Sequence, residues 1–116
     1  MGKRYNDLYD LAKFLKRELL PDVPVSVKRI KMPKDKWADC DTTKELDGFI
    51  IRLERKVSEQ YALFFLMHEF AHCLSWDKQQ KDHGISWGIA MSKVYCTFLR
   101  WSNSNDRQNK AACQGK

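Results

Sequence analysis

Residues 68 to 72 read His-Glu-Phe-Ala-His, and no other stretch limits so sharply what this chain can fold into. His68 and His72 are four residues apart, so on a helix their imidazoles stack on one face, about a turn from each other. Two imidazoles so placed can take two corners of a zinc tetrahedron, with Glu69 beside them to handle a metal-bound water. The third histidine, His83, completes a set of three within sixteen residues and leaves a fourth position open. With 3 His and five Glu in 116 residues, chance produces such a motif in roughly a few of every thousand shuffles. Residues 61 to 67, Tyr-Ala-Leu-Phe-Phe-Leu-Met, are almost wholly apolar, so the helix is expected to be buried on most sides. Polar side chains buried there without partners cost several kcal/mol. A metal supplies the partner.

The third ligand follows from elimination. No glutamate occurs after Glu69, and Ser75 and Lys78 occupy the glycine and final histidine positions of the longer His-Glu-x-x-His-x-x-Gly-x-x-His pattern. His83, Asp77, Asp82 and Asp106 remain. Imidazole suits zinc best, and His83 precedes Gly84 at what reads as the start of another helix, so His83 is favoured. Asp77 and Asp82 read as a cap, a loop acid or a partner that holds an imidazole tautomer.

Length and composition narrow the setting. At 116 residues and 13.7 kDa, with 43% hydrophobic residues, the chain is expected to form one small domain around one core. No run of eighteen apolar residues occurs, and the N-terminus leads into an amphipathic helix with acids in it, unlike a signal peptide. Cys40, Cys73, Cys96 and Cys113 form no Cys-x-x-Cys pair. They suggest free thiols in a reducing cytoplasm and no zinc ribbon. Cys73 projects about 100° from His72 and is assigned to the core. The net charge is +6, and Lys3, Arg4, Lys13, Lys16, Arg17, Lys28, Arg29, Lys31, Lys34 and Lys36 all precede residue 40. This is a solvated face or a patch that meets phosphates. With Tyr5, Tyr9, Trp37 and Trp76 it would hold single-stranded DNA by phosphate contacts and stacking.

Periodicity supplies the elements. Asn6 can cap a helix to about Leu20, with Tyr5, Leu8, Leu11, Ala12, Leu15 and Leu19 as its apolar stripe. Pro21 and Pro24 end it. Strands are predicted over residues 24 to 32, Trp37 to Thr42, and Phe49 to about Arg55, with a hairpin at Asp47-Gly48. Ser58 can cap the histidine helix, which should reach about Ser75. A polar connection from Trp76 to Asp82 leads to a last helix from about Gly84 to Trp101. Residues 102 to 116 are polar and aperiodic, and are predicted to be disordered. The expected fold class is α+β: N-terminal helix, three-stranded meander, histidine helix buried between sheet and last helix. The sheet edge beside the metal would let an extended peptide add as a strand.

These residues resemble the SprT-like metallopeptidases, the family that includes Spartan. The resemblance rests on Met67-His68-Glu69-Phe70-Ala71-His72, on Asp82-His83-Gly84-Ile85-Ser86-Trp87, and on Trp37-Ala38-Asp39-Cys40. It covers about residues 5 to 101, so the domain is drawn as 1–101. It implies a minimal zincin (minigluzincin) fold, zinc on His68, His72 and His83, and Glu69 as general base. The family's better-known members degrade proteins crosslinked to DNA. The compact form is similar to bacteriophage members, which implies the cytoplasm of a bacterial or phage-infected cell, with nucleoid association. The leading expectation is zinc-dependent peptide hydrolysis, with Tyr95 or an arginine as a second electrophile. Two other readings stay open. One is a nucleic-acid-binding module whose zinc is structural, closed by Cys73, Cys40 or an aspartate. The other is a protease of a specific regulator, as in the distantly similar ImmA/IrrE proteins.

Overall fold

The computed structural model describes residues 3–45, 47–76 and 84–110, and only the backbone of residues 3–6 and 105–110. Helix α1 (Lys3–Leu19) is followed by strands β1 (Val25–Ile30), β2 (Ala38–Thr42) and β3 (Phe49–Glu54), then helices α2 (Glu59–Leu74) and α3 (Ile85–Lys110). This is the α+β arrangement that the periodicity predicts. On α1 the expected stripe is the buried face, with Leu8, Leu11 and Leu15 fully enclosed. The side chains of Tyr5 and Asn6 lie outside the described residues, and α1 begins at Lys3, three residues before the expected cap. Ser58 does cap α2, its hydroxyl accepting from the Tyr61 N–H.

The three strands do not form a meander. Their order is β1-β3-β2, with β1 parallel to β3 and β2 antiparallel to it. The physical reason lies in β3, whose Ile51 and Leu53 are fully buried and need cover on both flanks. The Asp47-Gly48 hairpin delivers β2 to one flank. Gly48 also serves the other flank. A Cβ there would strike the Pro24 carbonyl oxygen, and the Phe49 N–H donates to that same oxygen at 2.9 Å. The connection from β1 to β2 must then cross the end of β3. Glu54 holds it: its carboxylate accepts from the Met32 N–H at 2.8 Å and the Lys56 N–H at 3.1 Å, while its own N–H bonds the Trp37 carbonyl at 2.7 Å.

Helix α2 packs on β2 and β3 and against α1 and α3, with Phe70, Leu66 and Ala62 fully buried. Most of α2 is buried or half-buried, as its apolar sequence suggested, and its exposed residues are Gln60, Tyr61 and Phe64. Tyr61 is 63% exposed and Phe64 53%. The fully enclosed arc faces the sheet and the other helices, while the stripe leading to the histidines is half-buried, with Tyr61 and Phe64 open. Helix α3 runs nine residues past Trp101, the expected end. Trp101 is buried and its indole donates to Asp10 on α1 at 2.9 Å. Extending an anchored helix adds a hydrogen bond per residue without a new nucleus, so the polar residues after Trp101 continue it. The tail expected to be disordered over 102–116 is thus helical to Lys110, and its remainder lies outside the described residues. No described helix is long and apolar enough to cross a membrane.

Candidate functional site

His68 and His72 lie on one face of α2, half-buried, with ring centroids 5.0 Å apart. Trp87, from the first turn of α3, closes this face from the side. Its ring centre is 5.1 Å from that of His68 and 5.7 Å from that of His72. Its indole N–H donates to the His68 carbonyl at 3.4 Å. One aromatic side chain thereby fixes the spacing of α3 from α2 and limits the sweep of both imidazoles.

Glu69 points to the sheet side and is buried, at 9% exposure. There it meets Cys40 of β2. The Cys40 thiol is held far above the ordinary thiol range by its neighbour Cys73 first, then by burial, then by the Glu69 carboxylate. Two cysteines 33 positions apart in sequence are thus brought together beneath the histidine helix. They sit on the buried side of α2, as expected for Cys73. Among the described residues no group of three His, Cys, Asp or Glu side chains that could hold a metal forms. The cysteines therefore do not close a site with His68 and His72.

The strand beside the site is an edge. In antiparallel pairing, residues alternate between those that bond the partner strand and those that face away. Trp37 bonds Glu54 and Thr43 bonds Gly48. Hence Ala38, Cys40 and Thr42 turn their backbone N–H and C=O groups to the outer side, where the Asp41 carboxylate accepts from the Thr42 N–H at 2.8 Å. The same strand meets α2 in parallel order: Trp37 stacks on Phe65, Cys40 reaches Glu69 and Cys73, and Phe49, paired with Thr42, packs on Trp76.

The expected site residues fare unequally. His68 and His72 share one face of α2, and Glu69 lies at the next position on the sheet side. His83, Asp77 and Asp82 lie outside the described residues, as does the side chain of Asp106. Tyr95, a candidate electrophile, stacks on Phe98, and it lies eight residues, or about 12 Å, along α3 from Trp87. The Cys40–Glu69 contact escaped the sequence reading. Its signal was the alternation of Ala38, Cys40 and Thr42, which put Cys40 on the inner face of β2. The basic N-terminal third divides. Lys13, Lys16 and Arg17 line the distal half of α1, where Arg17 and Arg100 flank the Phe14 ring. Lys31, Lys34 and Lys36 join Arg55 and Lys56 at one end of the sheet.

No protein-family profile matches the chain, and no curated protein matches it. Among solved structures, the metallopeptidase zymogen jannalysin of Methanocaldococcus jannaschii is similar at 14% identity and a TM-score of 0.45, covering 80% of this chain and 94% of that one.

Proposed function

We propose that the chain is a zinc-dependent metallopeptidase of the SprT-like kind, with a minimal zincin fold, which hydrolyses peptide bonds in extended protein segments. The observation that carries this reading is the pair of half-buried imidazoles on one helical face, with a buried carboxylate at the next position and an outer strand edge alongside. That donor set fits zinc: two neutral nitrogens one helical turn apart, partly open to solvent. His83 is the proposed third ligand. Zinc held there supplies Lewis acidity toward a water and a peptide carbonyl.

The chain's own groups do the rest. The outward backbone groups of Ala38 and Cys40, with the Thr42 carbonyl, hold a substrate strand by main-chain pairing, which reads shape more than sequence. Glu69 takes a proton from the attacking water and passes it to the leaving amide nitrogen. The buried Glu69 faces the sheet side, toward Cys40 of β2. Trp87 holds the histidine face in place. DNA is a proposed partner whose binding should weaken steeply with salt. Glu69→Gln tests the proposal: zinc content should stay stoichiometric while cleavage of an unfolded protein falls by about 100-fold or more. Retention of full activity, or no cleavage by the zinc-loaded parent, sinks it.

A further inference from the structure

The stripe of α2 that carries the histidines begins with aromatic rings at the margin of the core, where Phe65 packs on it and Tyr61 and Phe64 stand open. Tyr61, Phe65, His68 and His72 recur at helical spacing on one narrow arc. Phe65 stacks on Trp37 with centroids 6.5 Å apart and planes 9° from parallel, and it meets Tyr61 at 6.4 Å and Phe64 at 6.1 Å. Trp37 is 58% exposed, and Tyr61 and Phe64 are equally open. A contiguous exposed apolar patch of this kind marks an interaction site.

Charge collects around the same rings. The Arg55 N–H bonds the Ile30 carbonyl and the Glu54 N–H bonds Trp37, so Lys31, Lys34, Lys36, Arg55 and Lys56 share one end of the sheet with Trp37. Of the acids there, Glu54 is engaged with backbone N–H groups and Asp39 with Arg52 and Lys36. Asp35 is the exposed exception. The ledge continues directly from the open edge of β2, and this continuity favours a peptide. A strand added there reaches the rings without leaving main-chain pairing. Trp37 and Phe65 already lie face to face, and they offer a shared apolar floor in place of open platforms for bases.

We propose that Trp37, Phe65 and Tyr61 form a subsite for a large apolar side chain of an extended peptide, and that Lys34, Arg55 and Lys56 favour acidic residues following it. This rests on the peptidase reading of His68, Glu69 and His72. Antiparallel addition, the stronger pairing, sends the peptide's C-terminal half toward Trp37. Trp37 stacks on Phe65, about one turn before Glu69 on α2, and lies three residues from Cys40 along the strand, so the ledge lies about 10 Å along the edge from Glu69. The apolar residue therefore falls about three positions after the cut.

Two fluorescein-labelled unstructured peptides test this, one with Phe followed by Asp residues and one with Gly in place of Phe. They are titrated into the Glu69→Gln protein and, separately, cleaved by the parent, with cuts mapped by mass spectrometry. The Phe peptide should bind about tenfold tighter than the Gly peptide. Trp37→Ala should bring that ratio near one, and Tyr61→Ala should lower it in part. Lys34→Glu with Lys56→Glu should reverse the preference from acidic to basic flanks. Cuts should fall about three residues before Phe. A ratio near one in the Glu69→Gln protein, a ratio that survives Trp37→Ala, or a single-stranded oligonucleotide that displaces the peptide and itself needs Trp37 overturns the subsite. If the parent cuts neither peptide, the peptidase reading fails, while the binding titrations still decide the subsite.

Discussion

Glu59 shows how one side chain can join three elements. One carboxylate oxygen accepts from the Leu8 N–H of α1 at 3.0 Å and the other from Arg29 of β1 at 3.2 Å, while its backbone starts α2. Arg29 in turn donates to the carbonyls of Val57 and Arg55. Both charged side chains are nearly enclosed, at 11% and 13% exposure, and the Arg29 Nε is buried with no hydrogen-bond partner. Removing the negative charge leaves a guanidinium desolvated and unpaired, a far larger cost than losing a surface pair. Glu59→Gln is expected to lower stability by about 2–3 kcal/mol, read from the urea midpoint. A change within about 0.5 kcal/mol, the range of ordinary surface substitutions, would falsify this assignment. No sequence pattern announces Glu59, because its partners lie 51 and 30 residues away. The pairing of His68 and His72 on one face could be read directly, because it depends on helical spacing alone.

Among the elements, the helices and strand limits were legible, since each follows from local period and punctuation. The sheet order was not. A meander and the observed order share the same strands and the same Asp47-Gly48 hairpin. What separates them is the fit of Gly48 beneath Pro24 and the crossing held by Glu54, both of them long-range contacts. That crossing makes a pH prediction. The Met32 N–H, more than any other group, holds the Glu54 carboxyl below its ordinary range. A carboxyl depressed in the folded state stabilises the fold above its unfolded pKa and loses that contribution as pH falls through the folded value. Denaturation midpoints measured from pH about 6 down to about 3.5 should therefore drop more steeply for the parent than for Glu54→Gln. Equal slopes would show that the crossing does not depend on this charge.

At the scale of the whole molecule, α2 carries the histidines through the centre of the fold, touching both other helices and two strands. Metal bound there should register as global stability. At a hundredfold excess over the dissociation constant, zinc is expected to add about 2.7 kcal/mol, seen as a rise of several degrees in Tm and reversed by a chelator. His83→Ala should remove most of that rise; a rise that persists would place the third ligand elsewhere. The bond from Trp101 to Asp10 spans 91 positions. It ties the first helix to the last, and so sets a schedule for synthesis. The ribosome releases the histidines before it releases Trp87 and Trp101, the side chains that brace the histidine face and anchor α3 to α1. On the proposed metal reading, a nascent chain presents His68 and His72 while their frame is still incomplete, and the geometry that would discriminate among metal ions arrives only with α3.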